Sequence, residues 1–269
     1  MNITLATQLA FPGLGIKPFN INPVAFEIFG KGIYWYGIII ATGLILAYLW
    51  ALSQSKREEI KSDTLIDLIL VGLPSAIICA RIYYVVFSWD YYRENFLDVF
   101  KIWEGGIAIY GAVIGAFFAG YVYCKIKKMS FLKIADIASP CFLIGQAIGR
   151  WGNFVNVEAY GSQTSLPWRM LIIDKNIAVH PTFLYESLWN IAGFIILAQV
   201  SKKKTFEGFV FYLYLFWYGL GRIWIEGLRT DSLMLGNIRI SQLLAGVCII
   251  ISLVMIIIQS IKMHKKTTQ

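Results

Sequence analysis

The sequence predicts an all-α polytopic membrane protein, and three observations carry that reading. The 269-residue chain is 58% hydrophobic and only 15% charged, with a mean hydropathy of +0.63, too apolar for an ordinary soluble domain. Apolar runs of spanning length recur at about 33–52, 64–87, 105–124, 131–151, 182–200, 206–228 and 239–261, which predicts seven transmembrane helices. Basic residues gather in alternate loops. Lys56, Arg57 and Lys61 follow the first helix, and Lys125, Lys127, Lys128 and Lys133 follow the third. Lys202, Lys203 and Lys204 follow the fifth, and Lys262, Lys265 and Lys266 follow the seventh. By the positive-inside rule these loops are cytoplasmic, so the N-terminus lies outside and the C-terminus inside. The net charge of +8 is absorbed by that asymmetry and leaves no basic patch for a nucleic acid.

Taken in order, residues 1–32 read as a small outer-surface segment before a single integral-membrane domain. The first twenty residues lack a basic start, and Pro12, Gly13 and Pro18 break any apolar core, so no cleavable signal peptide is expected. Val24 to Tyr34 alternates around Gly30-Lys31-Gly32 and predicts a short hairpin leading into the first helix. The third helix carries Gly111, Gly115 and Ala119 at four-residue spacing, which lets helix backbones approach closely. The fourth is interrupted by Asp136, Pro140 and Arg150. Residues 154–181 form the longest outer loop, with an extended run from Pro167 to Ile173. Cys79, Cys124, Cys141 and Cys248 have no CxxC spacing and read as small apolar residues.

Two arginines stand out because apolar helices tolerate them poorly. A central arginine costs ~2.5–3.5 kcal/mol on insertion scales, so such residues usually face a polar cavity or an anionic partner. Arg150 is followed by Asn153, Asn156 and Glu158, with Gly149, Gly152 and Gly161 permitting close approach of a ligand. Snorkelling of Arg150 to the interface is the plain alternative. Tyr218, Arg222, Glu226 and Arg229 fall on one helix face, where an Arg222–Glu226 pair could serve burial alone or hold a binding arginine in place. Tyr110 enters the third helix after Gly105-Gly106, and His180 stands at the mouth of the fifth, with Glu186 less than two turns on. Arg81 and Asp136 read as structural partners. Guanidinium groups suit a phosphate, and a phosphate that reaches a membrane cavity laterally is a phospholipid head group. There is no metal-binding His/Asp cluster, no GxSxG and no Ser/His/Asp set, so neither metal nor cofactor is expected, and a nucleophile brought by the substrate fits best.

The segment Gly149-Arg150-Trp151-Gly152-Asn153-Phe154-Val155-Asn156-Val157-Glu158-Ala159-Tyr160-Gly161 resembles the G-R-x-G-N-F-x-N-x-E-x-x-G signature of prolipoprotein diacylglyceryl transferases at every fixed position. Trp103-Glu104-Gly105-Gly106, Tyr36-Gly37, His180 to Glu186 and Tyr218 to Arg229 resemble further blocks of that family, in order, over roughly 20–260. The resemblance implies a bacterial plasma-membrane enzyme with its cavity towards the outer leaflet. It would move the diacylglyceryl group of phosphatidylglycerol to the lipobox cysteine of prolipoprotein signal peptides and release glycerol 1-phosphate. It implies that Arg150 binds the head group, that Asn153, Glu158 and Gly161 shape the site, and that Arg222 is the second phosphate contact. Tyr36 and Tyr218 would line the cavity, and Tyr110, His180, Tyr218 and Glu226 are the candidate catalytic side chains. One position departs: family members often carry a histidine where this chain has Tyr110. An ordinary phenol is a poor base near neutral pH, so Tyr110 is expected to donate a hydrogen bond rather than take the thiol proton. A lipid or small-anion transporter is the rival reading, and it predicts inverted halves that the sequence does not display.

Overall fold

The computed structural model describes residues 6–236 and 238–267. Its elements run β1 (Thr7–Phe11), β2 (Ile16–Ile21), β3 (Val24–Ile28), β4 (Lys31–Tyr34), α1 (Trp35–Arg57), α2 (Ser62–Phe87), α3 (Trp89–Tyr92) and α4 (Ile109–Ile126). They continue with α5 (Phe131–Val155), β5 (Met170–Ile172), β6 (Ile177–Val179), α6 (Thr182–Val200), α7 (Phe209–Leu228), β7 (Met234–Leu235), β8 (Ile238–Arg239) and α8 (Ile240–Thr267). Among the described residues six helical segments are long and apolar enough to cross a membrane: Trp35–Arg57, Ser62–Phe87, Ile109–Ile126, Phe131–Val155, Thr182–Lys203 and Ile240–Lys265. The chain is a polytopic membrane protein. At 20 residues α7 matches a bilayer in length. It falls outside the apolar set because Tyr212, Tyr214, Tyr218, Arg222 and Glu226 lower its hydropathy.

The strands correct the all-α expectation. β2, β1, β5 and β6 form an antiparallel four-stranded sheet in that order, and Leu9 pairs with Ile172. Leu9, Phe11, Ile21, Met170, Ile172, Val179 and Phe183 close a core beneath it, against which Phe154 packs. Strands this short gain stability only by pairing, and here the partners lie some 160 residues apart in the chain. The expected hairpin forms between β3 and β4, but its turn lies one residue earlier, at Phe29 (φ 48°) and Gly30 (φ 74°). Two left-handed residues in succession give the turn whose twist matches that of the flanking strands.

The chain divides into two compact units, residues 51–134 and the remainder. In the larger unit α1 meets α5 along glycines: a Cβ on Gly43 would touch Gly145 and Ile148, and one on Gly152 would strike the Tyr36 ring. Trp189 of α6 and Trp217 of α7 stack with ring centroids 4.4 Å apart. Each indole N–H donates to the other's carbonyl, at 3.1 and 3.0 Å. The rings lie over Gly193 and Gly221, where any Cβ would collide with them. This reciprocal clasp sets the rotation of α6 against α7. Asp136, 3% exposed, accepts hydrogen bonds from the Gly208 and Phe211 amides at 2.9 and 3.0 Å and pairs with Lys204 at 3.4 Å. It thereby caps the orphan donors at the start of α7.

In the smaller unit α2 and α4 pack as a pair. Gly111 and Gly115 lie against the backbone of Cys79, Ala80 and Ser75, so close helix packing accounts for both. The third apolar helix starts at Ile109 instead of 105, because Gly105 and Gly106 take φ of 92° and 74°. Arg81, 6% exposed, explains that turn. Its guanidinium donates to the carbonyls of Asp98 (2.5 Å), Val99 (2.9 Å), Gly105 (2.8 Å) and Gly106 (2.7 Å) and lies over the Tyr92 ring. A buried cation is thus satisfied by backbone dipoles.

Candidate active site

Three helices converge on one carboxylate. Glu186, in the second turn of α6, places Oε2 2.6 Å from Arg150 Nη2 on α5 and 3.8 Å from Arg222 Nη1 on α7. Its Oε1 lies 3.4 Å from Arg229 Nη1, just past the end of α7. Arg222 also pairs with Glu226 at 2.5 Å, one helical turn on, and Glu226 is only 1% exposed. Arg229 grips Asp231 with Nε at 2.9 Å and Nη2 at 2.7 Å. Arg239 donates to the Glu226 carbonyl, tying the start of α8 to the same point. Guanidinium groups this close repel unless carboxylates lie between them, so each carboxylate lowers the cost of burying its neighbours.

The signature segment feeds this cluster from one side. Arg150 Nη1 donates to Asn153 Oδ1 at 3.1 Å, and Asn153 Nδ2 donates to Glu158 Oε1 at 2.9 Å. Asn156 Nδ2 reaches the same Glu158 oxygen at 3.3 Å. The backbone bends back to allow this, with Val157 (φ 50°) and Ala159 (φ 55°) in the left-handed region on either side of Glu158. That conformation is costly for a β-branched residue, which marks the turn as one the surroundings enforce. Gly161 sits in a backbone junction, its N–H donating to the His180 carbonyl at 3.0 Å while it bridges Arg229. A Cβ there would meet His180, Thr182 and the Leu228 carbonyl, so glycine is required by close approach.

The other residues singled out by sequence take different places. Tyr36 lies against Gly152 with its ring half in the open. Tyr218 stacks with Tyr214 at 6.1 Å on the face of α7 that carries Arg222. The His180 Nδ1 lies 3.3 Å from the Tyr185 hydroxyl, which in turn accepts from the Trp168 indole at 2.7 Å. His180 thus engages an aromatic chain and not Glu186, and burial pushes its pKa below the usual histidine value. Tyr110 belongs to the smaller unit, in the first turn of α4, with the Tyr83 ring 6.3 Å away. Sequence reasoning did not rank Glu186 among the site residues. The available signal was a lone acid inside an apolar helix, which needs a cationic partner. Arg229 shares the helix face of Arg222 and Glu226, and the sequence by itself assigns it no role.

α5 and α6 line an open apolar hollow of about 170 Å³, formed by Leu143, Ala147, Ile148, Trp151, Ile191 and Phe194, with Ser187 its polar edge. Trp151 and Ser187 directly follow Arg150 and Glu186, so the charged and apolar surfaces adjoin. Fold and cluster together define a multi-pass membrane protein with partly buried guanidinium groups near an apolar hollow, a combination suited to an anionic amphiphile.

Comparison with known proteins narrows that class. Residues 23–258 match the family model of prolipoprotein diacylglyceryl transferase, and the chain belongs to that family. It is a membrane transferase of lipoprotein biosynthesis. The phosphatidylglycerol–prolipoprotein diacylglyceryl transferase of Clostridium novyi is 49% identical over 251 residues, covering 90% of this chain and 97% of its own. The protein of the same name from Listeria innocua is 44% identical over 263 residues, 94% of both chains. The Lysinibacillus sphaericus protein, again of that name, is 48% identical over 256 residues, 90% of this chain and 94% of its own.

Proposed function

We propose that this chain transfers the diacylglyceryl group of phosphatidylglycerol to the lipobox cysteine of prolipoprotein signal peptides, the first step of bacterial lipoprotein maturation. The cysteine, as its thiolate with the thiol proton released to water, attacks the glyceryl carbon that bears the phosphate. A C–S thioether bond forms, the C–O bond to phosphate breaks, and glycerol 1-phosphate leaves with the bonding electrons. The observation that carries this reading is that Arg150 and Arg222, from different helices, reach one carboxylate oxygen, at 2.6 and 3.8 Å. Two guanidinium groups that share one oxygen can share a phosphate, holding the head group and stabilising charge on the leaving group.

Within this reading Arg150 binds the head group, Asn153 steadies Arg150 and is itself fixed by Glu158 so that both shape the site, and Gly161 keeps the junction beneath Arg229 closed. Arg222 is the second phosphate contact, held by Glu226, and Tyr36 and Tyr218 line the cavity. Tyr110 acts as a hydrogen-bond donor in place of the family's histidine, and His180 supports the mouth of α6. The chain forms one integral-membrane domain in the bacterial plasma membrane, with α7 as a seventh span, the N-terminus outside and the site open to the outer leaflet. The basic loops support that orientation, and no nucleic acid or cofactor takes part.

The test is a transfer assay in detergent with a lipobox peptide, labelled phosphatidylglycerol, and wild-type or Arg150→Ala protein. Glycerol phosphate release matched by lipidated peptide, and lost in the variant, is the expected result. Lipid binding without product, with a reduced thiol present, would replace this reading with that of a lipid transporter.

A further inference from the structure

Glu186 has three cationic partners, and that excess raises the question of what the carboxylate does beyond stabilising the fold. The groups linked by contact are Arg150, Arg222 and Arg229 around Glu186, Arg239 on the Glu226 backbone, Glu226 on Arg222, and Asp231 on Arg229. Four guanidinium groups against three carboxylates leave one positive charge unbalanced. Glu158 stands outside this set, exposed and bonded to the neutral amides of Asn153 and Asn156. A phosphodiester carries one negative charge and would balance the cage. A phosphomonoester carries close to two near neutral pH, because its second ionisation lies at about pH 6. Bound a few ångströms from Glu186, it would bring an uncompensated charge against that carboxylate.

We infer that Glu186 sets the charge specificity of the site: it gathers Arg150, Arg222 and Arg229 about one point, yet limits the cage to a single surplus positive charge, so that phosphodiesters are accepted and phosphomonoesters are disfavoured. The inference rests on the transfer reading for its biological sense. There the donor is a phosphodiester and the released glycerol phosphate a monoester, so the same carboxylate that orients the arginines also promotes product departure. Glu186 is therefore a positioning residue whose charge, and not merely its shape, matters.

The experiment compares full-length wild-type, Glu186→Gln and Glu186→Asp proteins in detergent for binding of two lipids with small head groups, phosphatidylmethanol (a diester) and phosphatidic acid (a monoester), at pH 7.5. Wild type is expected to prefer the diester by roughly tenfold, the scale of one unit charge acting over several ångströms at a protein site's effective dielectric. Glu186→Gln should erase that preference and strengthen inhibition of transfer by glycerol phosphate about tenfold, whereas Glu186→Asp should retain it. A Glu186→Gln protein that keeps the wild-type preference overturns the inference, as does a wild type that binds phosphatidic acid equally well or better. Should Glu186→Gln not fold, a wild type that binds phosphatidic acid equally well still overturns the inference. Because binding is read without turnover, charge discrimination in a protein that transfers nothing would refute the transfer reading and leave this one standing.

Discussion

Replacing Arg150 by lysine tests the site most directly, because it keeps the charge and removes the fork. Arg150 uses two nitrogens, Nη2 on Glu186 at 2.6 Å and Nη1 on Asn153 at 3.1 Å. A lysine ammonium is a single point donor on a differently shaped stem and can serve one of these partners well, not both. The variant therefore loses about one charge-assisted hydrogen bond, worth ~1.5–3 kcal/mol. If that interaction is exploited fully in the transition state, kcat/KM falls roughly 10- to 150-fold. The assay is initial-rate transfer to a lipobox peptide at several phosphatidylglycerol concentrations, with the melting temperature in the same detergent as a control for folding. A folded Arg150→Lys protein within about threefold of wild type would refute the reasoning, since a point charge would then suffice where a fork is claimed.

Other expectations follow from single contacts. Asp136→Ala strips the Gly208 and Phe211 amides and Lys204 of their shared acceptor and should cost roughly 3 kcal/mol, read as a lowered melting temperature in detergent. Trp189→Phe keeps the stacking but removes the indole hydrogen bond to the Trp217 carbonyl, which retains its helical partner, so a loss of about 0.5–1.5 kcal/mol is expected, with a change in tryptophan emission as α6 and α7 loosen. His180 is held neutral by burial, so the stability it contributes is complete above the ordinary histidine value of 6.5 and is lost as pH falls through its lower folded value. Wild type should therefore lose melting temperature below pH 6.5 more steeply than His180→Asn; parallel curves would contradict this. Tyr110→Phe should keep turnover within about tenfold if the phenol only donates a hydrogen bond, whereas lost turnover with lipid binding intact would give Tyr110 a role in proton transfer.

The sequence was most legible where a single physical rule acts locally. Hydropathy marked the long apolar helices because spanning length depends only on consecutive residues. Gly30 foretold the β3–β4 hairpin, and glycine spacing foretold close backbone packing of α4, whose partner, α2, only the structure identifies. Reading failed where partners are distant in the chain. The joining of the local β1–β2 hairpin to β5 and β6 went unseen because that pairing, Leu9 with Ile172, lies far along the chain. The early start assigned to the third helix ignored Arg81, whose hold on the Gly105 and Gly106 carbonyls keeps those residues out of the helix.

The candidate site divides in the same way. Sequence alone determined that Arg150 and Arg222 lie in apolar surroundings and need an anionic counterpart, because the cost of burying a guanidinium does not depend on the fold. It determined Arg222 with Glu226 as well, since a spacing of four residues on a helix is a local geometry. Only the tertiary structure decided that Glu186 stands at the centre. That position requires α6 to be turned against α7 by the Trp189–Trp217 clasp and α5 to present Arg150 from the other side. Charges on three helices meet at one point through packing, and packing is a property of surfaces that a linear sequence does not display.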